Sequence, residues 1–577
     1  MIIGYLFTIA YIFLLAGLLG SAFLLRRKAA AALSDKNSAA YLAAMAMVIG
    51  FFVAFALLYV HPVEQLYFDE NIYQGIALNI LHNGNALWCQ YGTAHLSSCG
   101  LNEIYHDPVE ISFYLAIAFA IFGPGIATAY NMELLIGALS IFLVFLLGSS
   151  MFGKRTGLAS AIIFSLIPEL FIWSRTQAVP DLIFMMFTIL AFLAYDIYKK
   201  GKSNAAAAFF LSALGIAIYT RIEGALLIPI FILLEICAAW IGRSQKASVS
   251  RKGSLKPALL FAAFVVLMLP QAYYISYEGH SLDYGTGTLC NVQSNQTFSL
   301  SNMECNIQPN TQFFLGSYNA VSYYPAYFSA FTTAIGILGA LMMIFWRKKR
   351  NGIMPLLMLG LWIIVFHLFY DFFYAGSVLY GVDVRFMLIL YPAMAIFGGF
   401  AIAGISTLPE RKENQRRGKG PSSKAIIASA AIFIALIAIF AVFPFYNSLG
   451  ITAISPSSMP QESMPMAATS FLYNSINSVP ANCLVFTFTP DIWYEYNRSA
   501  AQVGYVGSSS TDFQAFESQF SCFAFDSGYW CTTSGGGFKG STCTPDISNY
   551  NSSVIASSPA PNGIDNFTIY KLNNYTT

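Results

Sequence analysis

Apolar runs of about 17–25 residues recur along most of this 577-residue chain, each long enough to cross a hydrocarbon core of about 30 Å as a helix. They fall at 2–25, 40–60, 128–148, 157–174, 179–198, 205–220, 224–241, 257–276, 326–346, 354–370, 384–406 and 425–445. A further apolar stretch, 110–123, is read as a re-entrant or interfacial helix, because a full span there would reverse the charge map below. Together they predict an α-helical polytopic membrane protein with about 12–13 transmembrane helices. Only 10% of residues are charged, far below the roughly 25% of soluble domains, so lipid is the expected solvent. The net charge of +2 gives no electrostatic footprint for nucleic acid.

Three regions follow. Residues 1–39 form an N-terminal anchor helix and a basic cytoplasmic loop. The first run lacks a basic start and a cleavage site, which argues against a signal peptide. Residues 40–445 form the membrane domain, with a first outer loop at 61–127 and another at 277–325. Residues 446–577 are rich in Ser, Asn, Thr and Gly and predict a small extracytoplasmic α/β domain, with a helix over 462–476 and strands over 484–488, 522–526 and 567–572.

Orientation comes from the basic clusters. Arg26-Arg27-Lys28, Lys154-Arg155, Lys199-Lys200, Arg243 through Lys256, Arg347 through Arg350 and Arg411 through Lys424 all fall on one side when the runs alternate, and that side is cytoplasmic by the positive-inside rule. Eight of nine cysteines, all but Cys237, then lie outside, where disulfides belong. Cys89–Cys99 and Cys290–Cys305 are the expected local pairs, and Cys483, Cys522, Cys531 and Cys543 allow three connectivities. Glycan-acceptor triplets at Asn295, Asn497, Asn551, Asn566 and Asn574 agree with this side.

Candidate chemistry sits at the outer ends of spans. Asp69-Glu70 sit at the N-terminus of an expected amphipathic surface helix, with Ile72, Ile76, Asn79, Ile80 and Asn83 tracing its faces. Acidic residues favour a first helical turn for electrostatic reasons alone; the alternative is a general base held above the membrane, with a second carboxylate binding metal or substrate. Tyr105-His106-Asp107-Pro108 closes the loop at a helix start. Arg175 and Asp181 flank Pro180, Arg221 and Glu223 open the next run, and Asp383 and Arg385 open a later one. Each arginine alone could be a snorkelling anchor. Three on the side that positive residues usually avoid suggest a phosphate site, since guanidinium matches phosphate with paired donors.

The order and placement of these landmarks resemble the GT-C superfamily, closest to its protein mannosyltransferase and aminoarabinose transferase branch. Four patterns carry the likeness over about residues 40–406: the acidic pair Asp69-Glu70; His106-Asp107-Pro108-Val109, with Asp107 where the family commonly has proline; the Arg175 to Pro180-Asp181 turn; and Arg221-x-Glu223-Gly224 with the later Asp383-x-Arg385. The resemblance implies an inverting transfer of a sugar, a hexose such as mannose, from a polyprenyl- or dolichyl-phosphate carrier to a hydroxyl of a protein, glycan or lipid at the outer membrane face. It implies catalytic Asp69 and Glu70, donor-phosphate contacts from Arg175, Arg221 and Arg385, and supporting roles for Tyr73, His106, Asp107, Asp181, Glu223 and Asp383. A divalent metal ion on Asp69, Glu70 and His106 is one option; no other cofactor is implied. An oligosaccharyltransferase subunit is the nearest alternative, although its Trp-Trp-Asp-Tyr-Gly signature is missing. A lipid or solute transporter is the alternative from another class, and it would favour paired repeats and midplane charges.

Overall fold

The computed structural model describes residues 2–33, 38–60, 68–105, 108–176, 178–243, 255–281, 298–315, 326–345, 353–373, 376, 382–413, 460–505, 516–527, 550–561, 563–564 and 566–575. The membrane part is a helical bundle: α1 (Ile2–Leu33), α2 (Ser38–Tyr59), α3 (Phe68–Asn83), α4 (Glu110–Phe122), α5 (Ile126–Phe152), α6 (Lys154–Ser165), α7 (Pro168–Thr176), α8 (Asp181–Gly201), α9 (Asn204–Thr220), α10 (Leu227–Arg243), α11 (Leu255–Ser281), α12 (Leu300–Phe314), α13 (Ala326–Phe345), α14 (Ile353–Phe372) and α15 (Tyr391–Glu413). A 3₁₀ turn, Ile222–Leu226, precedes α10, and a 3₁₀ helix, Val382–Leu390, precedes α15.

Among the described residues, seven helices are long and apolar enough to cross a membrane, and α6 with α7 makes an eighth if the pair is one broken span. That pair bends by 64°. Its cause is local: Pro168 opens α7 and has no N–H to continue the ladder. Shorter apolar helices lie within α4, α9, α11 and α13. Helices thus stand on eleven of the twelve predicted runs; 425–445 lies outside the described residues. At 13 residues, α4 is about 20 Å long, short of the core thickness. Lipid tails supply no hydrophobic drive between helices, so close backbone approach matters. At Gly399 of α15 a methyl group would stand 2.2 Å from Ser160 Oγ of α6, which explains why glycine occupies that crossing.

The C-terminal region adds α16 (Pro460–Ser475) and α17 (Pro490–Glu495) to a seven-stranded sheet. The strands are β1 (Trp88–Gly92), β2 (Cys99–Glu103), β3 (Cys483–Thr487), β4 (Ser499–Gln502), β5 (Cys522–Asp526), β6 (Tyr550–Pro559) and β7 (Asn566–Tyr575), in spatial order β2-β1-β4-β3-β5-β7-β6. β3 runs parallel to β4 and to β5, and the other pairings are antiparallel. The three predicted strands are β3, β5 and β7, and the predicted helix is α16. The loop between α3 and α4 contributes β1 and β2, with Tyr91 opposite Ala501 and Gly92 opposite Ala500. That loop and the C-terminal domain therefore lie on the same side of the membrane. Disulfides join Cys89 to Cys99 and Cys483 to Cys522, and the latter selects among the three connectivities left open. Cys305 is also disulfide-bonded, while Cys290, Cys531 and Cys543 lie outside the described residues.

One expectation is corrected. The helix after Asp69-Glu70 was expected to lie on the surface, but residues 70–79 of α3 are all buried. The C-terminal domain covers it: α17 packs across α3, and a methyl group at Gly75 would meet Asp491 Oδ1 at 1.7 Å. The polar face, including Asn71, Gln74 and Asn79, meets protein rather than water. Asn79 donates to the Leu87 carbonyl at 2.8 Å and to Asn102 Oδ1 at 2.9 Å, which satisfies it inside the hairpin.

Candidate active site

The first turn of α3 carries Asp69 and Glu70, where the positive end of the helix dipole stabilises carboxylates. Glu70 is buried, and Tyr130 at the start of α5 donates a 2.8 Å hydrogen bond to its Oε2. Asp69 is half-buried and accepts from the Tyr105 hydroxyl. Tyr105 is fixed edge-on to Tyr73 and Trp88, with ring centroids 5.9 and 5.8 Å away, and its carbonyl accepts from Tyr274 at 2.9 Å. Ser112 of α4 donates to the Tyr73 carbonyl at 2.8 Å. Tyr73 therefore helps to place the acidic turn; its side chain serves as packing for Tyr105.

The arginines arrive from three helix ends. Arg175 ends α7, where the bend at Pro168 directs it, and its Nη1 donates to Asn131 Oδ1 at 3.1 Å. Tyr130 and Asn131, neighbours on α5, thus hold Glu70 and Arg175 respectively. Arg221 follows α9 in extended backbone. Its Nη1 meets Asp181 Oδ1 at 2.7 Å, and its Nε and Nη2 grip both Glu223 oxygens at 3.1 and 2.9 Å. Gly224 makes that turn feasible, since a methyl group there would lie 2.3 Å from the Ala217 carbonyl. Arg385 Nη1 stands 3.7 Å from Asp181 Oδ2. Both guanidinium carbons sit 5.0 Å from the Phe386 ring centroid, in cation–π range, and Tyr370 stacks on the same ring at 5.2 Å. Two guanidiniums against two carboxylates make this cluster electroneutral. Arg175 has no carboxylate partner among the described residues.

Between the acidic turn and the arginine cluster stands Glu133 of α5, fully buried. It is close enough to interact electrostatically with both Glu70 and Asp181. Asp69, Glu70, Tyr73, Arg175, Asp181, Arg221, Glu223 and Arg385 are thereby linked through α5. His106 and Asp107 lie outside the described residues, and so does the side chain of Asp383, which belongs to the 3₁₀ helix Val382–Leu390. Tyr130, Asn131 and Glu133 were missed. Glu133 left one readable signal: a lone acid inside the 128–148 run, and an ionisable group within a membrane segment is functional by default. As for a metal ion, no group of three His, Cys, Asp or Glu side chains among the described residues is arranged to hold one. Of the ligands expected for an ion, Asp69 and Glu70 each accept from a tyrosine hydroxyl, and His106 lies outside the described residues.

Residues 106–274 match the family model of dolichyl-phosphate-mannose-protein mannosyltransferases. Among solved structures, ArnT from Cupriavidus metallidurans in the apo state superimposes with a TM-score of 0.52 at 12% identity, covering 93% of this chain and 98% of that one. The chain has the fold of this membrane glycosyltransferase. ArnT bound to undecaprenyl phosphate matches it with a TM-score of 0.50 at 12% identity, covering 92% and 98%. The oligosaccharyltransferase AglB from Archaeoglobus fulgidus, in complex with an inhibitory peptide and a dolichol-phosphate, gives 0.47 at 14% identity, covering 91% and 74%. No curated protein sequence matches the chain. The family-model match spans α4 to α11 and so includes Arg175, Asp181, Arg221 and Glu223.

Proposed function

We propose that this GT-C enzyme transfers a hexose such as mannose from a polyprenyl- or dolichyl-phosphate carrier to a hydroxyl of a protein, glycan or lipid, on the extracytoplasmic face. The observation that carries the reading is the convergence of the acidic turn of α3 with guanidiniums from the ends of α7 and α9 and from the start of the α15 segment. In the proposed step, the acceptor oxygen attacks the anomeric carbon as its proton passes to Asp69 or Glu70. The bond from that carbon to the phosphate oxygen breaks, and its electron pair leaves with the phosphate. Arg175, with a spare charge, and Arg385, at its longer contact to Asp181, stabilise the departing anion, while Arg221 fixes Asp181 and Glu223. Direct displacement inverts the anomeric centre.

Placement outside the cytoplasm is supported by the Cys89–Cys99 and Cys483–Cys522 disulfides and by the exposure of Asn497, Asn551 and Asn566 in acceptor triplets. The test is to supply radiolabelled polyprenyl-phosphate hexoses and candidate acceptors to the purified protein. Asp69→Asn and Glu70→Gln are expected to lower kcat by about 10²–10⁴-fold while leaving carrier binding intact. Movement of lipid or solute by the wild type, without sugar transfer to any acceptor, would replace this reading with a transporter.

A further inference from the structure

Glu133 is 0% exposed, and neither of its carboxyl oxygens has a hydrogen-bond partner among the described residues. Buried polar groups are nearly always paired, and an unpaired one costs the desolvation of that group. A leucine at this position of a membrane helix would cost nothing, so the carboxyl needs a reason. Its neighbours supply one. Tyr130, one turn earlier on α5, holds Glu70. Gly137, one turn later, is so close to α7 that a methyl group there would stand 3.0 Å from Ser174 Oγ, next to Arg175. On the far side Glu133 feels Asp181, the carboxylate shared by Arg221 and Arg385. In a displacement reaction the transferred sugar must lie between the base and the departing phosphate. Glu133 interacts electrostatically with groups on both sides of that path, Glu70 and Asp181, and its two carboxyl oxygens are unpaired among the described residues.

We infer that Glu133 accepts hydrogen bonds from hydroxyl groups of the donor sugar and so helps to select the sugar. This rests on the donor reading above. The two carboxylate oxygens match a pair of neighbouring hydroxyls on a pyranose, whereas the described side chains assemble no cage for a cation. A buried polar group left unpaired when its partner is removed is costly, which makes such a residue a discriminator.

The experiment compares binding of undecaprenyl-phosphate mannose, glucose and galactose with binding of bare undecaprenyl phosphate, using full-length protein in lipid nanodiscs. Wild type is expected to bind one sugar-bearing lipid more tightly than the bare lipid. Glu133→Leu is expected to reduce that preference by about 10- to 100-fold without changing affinity for the bare lipid, and Glu133→Gln to reduce it less. Removing single hydroxyls from the preferred sugar should weaken wild type but not Glu133→Leu. If Glu133→Leu keeps the wild-type preference, or if both lipids weaken equally in Glu133→Leu and Glu133→Gln, the inference is overturned and the donor reading stands. If wild type binds none of these lipids, both fall.

Discussion

Glu110 and Glu133 are both carboxyls buried on helices of the same bundle, 1% and 0% exposed. Thr220 Oγ1 donates to Glu110 Oε2 at 2.7 Å, and the Tyr114 hydroxyl donates to its Oε1 at 3.4 Å. Glu110 therefore ties α4 to the end of α9 through a closed polar contact in an apolar setting. Glu133 makes no such contact. A carboxyl that serves architecture must receive its hydrogen bonds from the fold, because nothing else will reach it. One that serves a ligand is left open by the fold and costs stability until the ligand arrives. The difference separates two uses of the same residue type in one protein.

The largest effect that bears on this contrast belongs to Arg221, the ion-pair partner of Glu223. Arg221→Leu leaves Glu223 buried without it, and Asp181 with only its 3.7 Å contact to Arg385, and is expected to cost about 3–5 kcal/mol, the usual consequence of breaking a buried pair on one side. Arg221→Lys keeps the charge but cannot grip both Glu223 oxygens with a planar fork, so only part is restored. Thermal unfolding in detergent measures both. A loss below about 1 kcal/mol for Arg221→Leu would mean the cluster is not a structural clasp.

Next in size is the direct comparison. Glu110→Leu leaves the Thr220 and Tyr114 hydroxyls without their acceptor and is expected to destabilise by about 1–3 kcal/mol. Glu133→Leu removes an unmet carboxyl and is expected to be neutral or stabilising, with any loss confined to sugar binding. Equal destabilisation by the two substitutions would erase the contrast, because it would show that Glu133 has a structural partner after all.

Much of this arrangement was legible in the chain and some was not, for physical reasons. The spans could be read because lipid demands long apolar helices with internally satisfied backbone. The arginines at the span ends could be read because they fall opposite the basic clusters in the alternating map. The covering of α3 could not: Asn71, Gln74 and Asn79 give it the pattern of a solvated face, and only tertiary contacts with Asp491 and Asn102 turn that face inward. β1 and β2 were equally opaque, since Trp88–Gly92 and Cys99–Glu103 are short and nothing local announces that the first pairs with Ser499–Gln502, some 400 residues away. That Asp69, Glu70, Arg175, Arg221 and Arg385 share one neighbourhood depends on Tyr130, Asn131 and Glu133, whose setting on α5 has no motif.

The smallest effect extends the contrast outside the membrane. Asp491 of α17 is an intermediate case: Trp88 Nε1 donates to its Oδ2 at 3.2 Å, while Oδ1 has no hydrogen-bond partner among the described residues. Burial raises its pKa well above the usual carboxylate range; the Trp88 bond opposes this and the nearby Glu495 charge adds to it. In the unfolded chain the group titrates near about 3.9. Below that pH both states are protonated, and Asp491 contributes no pH dependence. As pH climbs through the window between the unfolded and folded values, the unfolded chain ionises first, so folding stability falls; above the folded value the curve flattens. Asp491→Asn has no proton to lose, so relative to wild type it should gain stability as pH rises from about 4. Thermal unfolding of the full-length protein in detergent from pH 4 to 8 reads the difference. Parallel curves would show that Asp491 is solvated or paired in the folded state, and would place it with Glu110 rather than with Glu133.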